Sequence, residues 1–264
     1  VPPLADYGGG SGCGALFLDE PGWPKNLNDC IYTADWGRQM IFSHRVEPKG
    51  ASVAVDQQEF LGIERATDLD VDGNSSLYAS SWKGATFNYA GENVGYVVQL
   101  RPKGFKAEAR PKIDANEWSG WLELLHSESH RRRIEGQRGL VRYAAGHPKD
   151  LNKLGDKLLE IAGSDATPLK SRIAAIFTIG LIRDQWIRGK QDPTVARTLA
   201  DSLFRLANRP AVNAWVLRAL SDGRLLDDPK AKEAIRSGLG AGDPRSITEA
   251  LLALIQGPKI EFVN

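Results

Sequence analysis

The sequence predicts a multidomain protein in which a β half precedes an α half: two blades of a β-propeller, as an incomplete ring, followed by an α-solenoid of HEAT- or armadillo-like helix pairs. Three observations support this fold class. A short motif repeats after 46 positions, strand-like patterns extend to about Ile113, and from Asn116 onward apolar residues recur every three or four positions. We therefore assign residues 1–115 to the propeller blades and residues 116–264 to the solenoid.

The repeated motif sets the period of the predicted blades. Ile31-Tyr32-Thr33-Ala34-Asp35-Trp36-Gly37 returns as Leu77-Tyr78-Ala79-Ser80-Ser81-Trp82-Lys83, and Pro48-Lys49-Gly50 returns as Pro102-Lys103-Gly104. A repeat of roughly 40–50 residues filled with short strands is typical of propeller blades. Because a propeller needs about four to eight blades, we expect the remaining blades to lie outside this sequence.

Four strands are predicted in each blade from runs of apolar, β-branched and aromatic residues bounded by Gly, Pro and Asn. The predicted strands are Ala15–Leu18, Ile31–Asp35, Met40–Val46, Ser52–Phe60, Thr67–Val71, Ser76–Ser81, Val94–Arg101 and Phe105–Lys112. The alternative is an antiparallel sandwich in which the repeated motif is accidental.

The helical half carries its own start signals. Asp192-Pro193, Asp228-Pro229 and Asp243-Pro244 each combine a capping Asp with a Pro suited to the first helical position. Four positions, one of them in the last of these Asp-Pro pairs, open helices with a similarly placed apolar stripe, at spacings close to the period of HEAT or armadillo repeats. These positions are Ser129, Pro168, Pro210 and Pro244.

Composition narrows the function classes. The net charge of +1 gives no argument for nucleic acid or an anionic membrane as a partner, and no apolar run approaches the roughly 20 residues of a membrane helix. The chain begins at Val1 and its only methionine is Met40, which favours a mature or excised piece of a larger protein.

Cys13 and Cys30 fit either two free thiols or a disulfide joining the first two strands, which would need an oxidising compartment.

Asp35, Trp36 and Arg38 form the strongest candidate catalytic and substrate-binding group. A carboxylate, a flat aromatic ring and a guanidinium suit a sugar-like ligand, which can stack on the ring while its hydroxyls hydrogen-bond to the charged groups. Trp82 and Lys83 take the matching place in the second repeat. Tyr89 and Asn93 follow in a long loop and extend the candidate substrate site. The alternative is that both tryptophans pack between blades and Arg38 pairs with Asp35.

Asp68, Asp70 and Asp72, followed by Gly73, form a candidate calcium loop. Alternating carboxylates with a turn-forming Gly can converge on one cation. The position that would carry the last acid of an EF-hand is Ala79, so only a calcium loop within a β-hairpin remains. Strand alternation gives the opposite interpretation, in which the three acids point into solvent and Asp-Gly is simply a turn.

Four segments together resemble a known family. Tyr7–Gly14, Tyr32–Arg38, Thr67–Gly73 and Asn93–Tyr96 are similar to the membrane-bound dehydrogenase-like or haem-binding C-x-x-C-H proteins of planctomycetes and verrucomicrobia. The resemblance implies a sorbosone- or glucose-dehydrogenase-like propeller, HEAT repeats, and a periplasmic or cell-surface location. It also implies oxidation of a sugar-like substrate, with electrons passing to haem in a cytochrome c domain or protein. This chain has no C-x-x-C-H, so any haem would lie in a domain outside it.

Two functions follow. In the first, the chain is part of an exported sugar dehydrogenase in which Asp35 and Arg38 polarise or deprotonate a substrate hydroxyl, with PQQ and calcium as candidate cofactors. In the second, the propeller and the HEAT repeats form a non-catalytic binding or scaffold module. The sequence supplies a candidate base but no redox centre, which leaves both functions open.

Overall fold

The computed structural model describes residues 5–50, 52–83, 92 and 94–257. Its contacts divide the chain into two compact units. The β unit contains Val1–Arg110 and Glu128–Arg131, and the helical unit contains Pro111–Ser127 and Arg132–Asn264. The sequence analysis placed the domain boundary between residues 115 and 116, and that placement stays a prediction.

The described part of the β unit contains seven strands in two antiparallel sheets. The strands are β1 (Gly12–Leu18), β2 (Cys30–Asp35), β3 (Met40–Lys49), β4 (Ser52–Gly62), β5 (Asp68–Val71), β6 (Leu77–Trp82) and β7 (Gly95–Leu100). The first sheet has the order β1-β2-β3-β4 and the second has the order β5-β6-β7. The two copies of the repeated motif therefore occupy β2 and β6, the second strand of each sheet.

Alternation along the strands places the core of the β unit. On β2, Tyr32 and Ala34 are fully buried, and Ile41 of β3 joins them on the same face of the sheet. Leu69 and Val71 of β5 supply the buried face of the second sheet and belong to the same cluster. Burial of such side chains is the main stabilising contribution available to short strands, which cannot persist alone in water.

The prediction of two propeller blades is wrong. The described residues form one four-stranded and one three-stranded sheet, with no propeller blade and no closed ring. The predicted fourth strand of the second set, Phe105–Lys112, has no strand structure. Apart from Phe105, the positions that alternate with its charged residues are two alanines and Pro111, so one face has little to bury and Pro111 lacks a ladder donor.

Eight α-helices follow in the described part of the chain, so the order of β elements before α elements agrees with the periodicities. The helices are α1 (Ser119–Leu124), α2 (His130–Gly146), α3 (Leu151–Gly163), α4 (Leu169–Arg188), α5 (Pro193–Leu206), α6 (Asn213–Asp222), α7 (Pro229–Leu239) and α8 (Pro244–Gln256). A single 3-10 turn at Pro148–Asp150 precedes α3.

The three Asp-Pro helix starts are confirmed. Asp192, Asp228 and Asp243 cap α5, α7 and α8, and each carboxylate accepts backbone N–H groups of the first turn. The large core of the helical unit is built from the inner faces of α2 to α8, with Leu158 and Ile179 fully enclosed. A HEAT-like solenoid is not confirmed. In the described part of the chain no helix is long and apolar enough to cross a membrane.

Candidate functional site

The β2–β3 hairpin carries the predicted catalytic pair. Asp35 ends β2 and has no exposed surface. Its Oδ1 accepts hydrogen bonds from the backbone N–H of Arg38 at 2.7 Å and of Ser11 at 3.1 Å. The carbonyl of Ser11 in turn accepts the N–H of Trp36 at 2.9 Å. Asp35 therefore holds the hairpin turn closed and ties it to the segment that precedes β1.

The geometry of Asp35 does not suit a general base. Its Oδ2 is also buried, has no hydrogen-bond partner among the described residues, and is so close to Gly10 that a side chain at position 10 would collide with it. A general base must lie within hydrogen-bond reach of a substrate proton. Arg38, by contrast, is exposed. The catalytic role of this pair stays a prediction, while the observed contacts give Asp35 a structural role.

Trp36 and Trp82 come together at one place in the β unit. Their ring centroids are 6.3 Å apart with an interplanar angle of 30°, which is an offset-stacked arrangement. The guanidinium of Arg65 lies 4.1 Å from the centre of the Trp36 ring. Both indoles are half-buried, and neither belongs to the hydrophobic core cluster that includes Trp23. We call Trp36, Trp82 and Arg65 the indole platform.

The remaining predicted substrate contacts divide into two groups. Lys83 is exposed, follows β6, and donates its backbone N–H to the carbonyl of Val94 at 2.8 Å. Tyr89 and Asn93 lie outside the described residues.

The three acids of the candidate calcium loop take two different positions. Asp68 and Asp70 lie on the exposed face of β5, and Asp70 forms an ion pair with Arg131 at 3.2 Å. Asp72 instead organises the β5–β6 turn: Oδ1 accepts the N–H groups of Asn74 and Ser76, both at 2.9 Å. Calcium at this loop stays a prediction, since Asp72 already directs its Oδ1 to the backbone.

Neither a metal cluster nor a disulfide is formed by the described residues. They contain no group of three or more His, Cys, Asp or Glu side chains that could hold a metal ion. Cys13 and Cys30 are free thiols. The β1–β2 register pairs Leu18 with Cys30, so Cys13 lies about 16 Å away along β1, far beyond disulfide reach. Burial raises the pKa of both thiols, which makes them poor nucleophiles.

One polar cluster escaped the sequence reasoning. His44 Nε2 lies 2.9 Å from Thr33 Oγ1 and 3.2 Å from the hydroxyl of Tyr7, and the Tyr7 ring stacks on Phe42 with centroids 4.6 Å apart. His44 is buried, its Nδ1 has no described partner, and desolvation lowers its pKa. Thr33 and His44 lie on the same face of the sheet because of the register between β2 and β3, which no local sequence pattern predicts.

The comparisons with known proteins leave the function to be argued from this geometry. Neither models of protein families, nor curated proteins, nor solved structures match the chain. The resemblance to dehydrogenase-like proteins, with its exported location and its haem partner, therefore stays a prediction.

Proposed function

We propose that the protein is a non-catalytic binding module whose β unit holds a sugar-like ligand on the indole platform. The observation that carries the proposal is the meeting of Trp36 and Trp82, which are 6.3 Å apart between ring centroids and outside the core cluster. Trp23 is also half-buried, but it packs against the hydrophobic core cluster. Two half-buried indoles set apart from the core are instead suited to contact a ligand.

The charges beside the platform match such a ligand. Arg38 and Lys83 are exposed and each lies within two positions of a platform indole in the chain. Guanidinium and ammonium groups donate hydrogen bonds to hydroxyl or carboxylate oxygens. An indole face packs against the C–H face of a pyranose while these cations bind its oxygens. The platform therefore favours sugars, and uronic acids over neutral sugars.

The contacts of Asp35 argue for binding without turnover. Its carboxylate is enclosed, and its Oδ1 is shared by two backbone N–H groups. A substrate proton cannot reach this group unless the hairpin opens. The module thus lacks an accessible base at the place where the sequence predicted one.

Titration of the full chain with neutral and uronic-acid oligosaccharides, followed by tryptophan fluorescence, tests the proposal. We expect saturable binding with a Kd of about 1 mM or tighter. Trp82→Ala should weaken binding at least tenfold, because one stacking face is removed. Trp118→Phe is the matched control, since Trp118 packs on the core of the helical unit. Binding that survives in Trp82→Ala would refute the indole platform as the site.

The same sample distinguishes binding from catalysis. With an artificial electron acceptor present, we expect no ligand-dependent reduction of the acceptor. Turnover that disappears in Arg38→Ala would contradict the binding-module proposal and support the sugar dehydrogenase instead. Arg38 is suited to this comparison because its side chain is exposed.

A further inference from the structure

A cavity of about 470 Å³ lies where α4 and α6 end in the helical unit. Three arginines line it: Arg183 and Arg188 from the last turns of α4, and Arg224 from the turn after α6. The lining also includes Asp184, Asp222 and the exposed Ile187. Three guanidinium groups converging on one cavity are unusual in a chain with a net charge of only +1.

Arg183 is buried and its hydrogen-bonding capacity is only partly used. Its Nη1 donates to the carbonyl of Gly223 and to Asp184 Oδ1, both at 2.9 Å. Its Nε is buried and has no acceptor among the described residues. A buried charged donor without an acceptor is unfavourable, so Arg183 is held beside the cavity with part of its hydrogen-bonding capacity unused.

The other two arginines have no carboxylate partner within the part of the chain that the structure describes. Arg188 makes one weak contact, from Nε to the carbonyl of Asp184 at 3.3 Å. Both nearby carboxylates already form ion pairs: Asp184 with Arg183 at 2.9 Å, and Asp222 with Arg218 at 3.1 Å. Three arginines thus line the cavity with two aspartates, one of which is paired with Arg218 outside the lining, and the negative ends of the two helix dipoles offset only part of the positive excess.

The backbone of Arg224 adds a second observation. Its φ of +53° is left-handed, and the N–H of Leu225 closes the helix end onto the carbonyl of Leu220 at 2.9 Å. Glycine is the usual residue at this position, because a side chain there is strained. Lys190 takes the equivalent place after α4 with the same φ, but it does not line the cavity.

We propose that this cavity binds a phosphomonoester, with Arg183, Arg188 and Arg224 contacting the phosphate oxygens. A phosphate has enough acceptors for several guanidinium groups, and its doubled charge matches the excess of positive charge. The cavity is larger than a phosphate group, so it has room for the esterified part, which would lie against Ile187. Arg183 lines the cavity, and Arg188 and Arg224 beside it have no carboxylate partner among the described residues.

The test uses the full chain and measures the thermal shift and the calorimetric Kd with inorganic phosphate, a sugar phosphate and a phosphoserine peptide, at constant ionic strength. Arg224→Gly should weaken binding at least tenfold without lowering the melting temperature of the free protein, since glycine relieves the strained backbone. Lys190→Gly is the matched control: it removes one cation from the same backbone conformation and should bind as the parent does.

Each outcome decides the proposal. Binding of either ester, or of phosphate alone, that is lost in Arg224→Gly and kept in Lys190→Gly supports it, and the tighter ester identifies the source of the phosphate. Absence of binding to all three probes overturns it. Equal weakening in the two variants also overturns it, because the effect would then reflect general charge rather than this cavity.

Discussion

Turns in the β unit and helix C-termini in the helical unit leave different backbone groups unpaired, and side chains of opposite charge satisfy them. In the β unit, turns leave N–H groups unpaired, and the carboxylates of Asp35 and Asp72 accept them. In the helical unit, helix ends leave carbonyls unpaired, and buried arginines donate to them: Arg172 to Ala162 at 3.0 Å and Arg183 to Gly223 at 2.9 Å. In each case the charge of the side chain matches the backbone group that it satisfies, and the carboxylate caps of α5, α7 and α8 follow the same rule at the helix starts.

This difference separates structural charges from candidate functional ones. Asp35 was the predicted base, yet its Oδ1 is bonded to the turn and its Oδ2 is enclosed beside Gly10. Arg183 was not predicted at all, yet after satisfying Gly223 it retains a buried donor next to a cavity. The informative charge is the one with hydrogen-bonding capacity left over and space for a ligand.

The largest expected effect is on a buried arginine. Arg172→Met should lower the free energy of unfolding of the helical unit by about 2–3 kcal/mol, because the Ala162 carbonyl loses its buried donor. Urea unfolding followed by circular dichroism at the helical wavelength measures this loss. Arg197→Met on the exposed face of α5 is the control and should change stability by less than about 0.5 kcal/mol. Equal losses of stability in the two variants would show that arginines at helix ends have no special stabilising role.

The corresponding change in the β unit is Asp35→Ala. We expect a loss of about 2 kcal/mol, because the N–H groups of Ser11 and Arg38 lose their acceptor. Asp35→Asn keeps one oxygen acceptor and should lose less. Amide hydrogen exchange at Ser11 and Arg38 reports the opening directly. Asp70→Ala is the control, since Asp70 is exposed and its carboxylate contacts Arg131 and the N–H of Val71 rather than Ser11 or Arg38. Protection at Ser11 that is unchanged in Asp35→Ala would show that the turn does not depend on the carboxylate.

Local signals made part of the fold predictable. An Asp followed by Pro specifies a helix start through contacts within three residues, so α5, α7 and α8 begin where the sequence places them. The strand Phe105–Lys112 was predicted from a run of apolar and aromatic residues bounded by turn residues, and it is absent because, beyond Phe105, its uncharged positions are two alanines and Pro111, which provide little apolar surface to bury. Periodicity therefore predicts a strand or helix well only when the periodic side chains are large enough to bury apolar surface.

The candidate site was less predictable because its contacts are distant in sequence. The Asp35 carboxylate accepts the N–H of Ser11, which lies 24 positions earlier, and no local sequence pattern predicts that hydrogen bond. The pairing of Trp36 with Trp82 follows the repeated motif, so this part of the site could be found from the sequence. The Arg183 cavity joins two helix ends 40 positions apart, and only the packing of α4 against α6 brings them together.

A smaller effect is expected when the pH falls, and it is confined to the β unit. Desolvation lowers the pKa of His44 in the folded chain, so the unfolded chain takes up its proton first. Stability is therefore complete above about pH 6.5, begins to fall below it, and stops falling once the pH passes the lower pKa of the folded state. Urea midpoints between pH 8 and pH 5 measure this, and His44→Gln should give a flatter profile over that window. A matching slope in the variant would assign the pH dependence to other groups.

The smallest expected effect concerns the cap of α8. The fully buried side chains of this helix, Ser246, Ala250 and Ala253, are small, and Leu254 packs on the core only in part, while Leu251 and Ile255 are exposed. Asp243→Ala should cost about 1 kcal/mol, measured as faster hydrogen exchange in the first turn of α8. Backbone hydrogen bonds from Ser246 lower the pKa of Asp243. The stabilisation by the ionised cap is therefore present above the unfolded pKa of about 3.9 and is lost as the pH falls through the lower folded value.

Asp156→Ala, on the exposed face of α3, is the opposite control. It removes a carboxylate from a helix interior and should be neutral or slightly stabilising, because Ala is the better helix former. If both substitutions changed stability in the same direction, the charge itself rather than its place at an unpaired backbone group would decide the effect, and the contrast between the two units would fail.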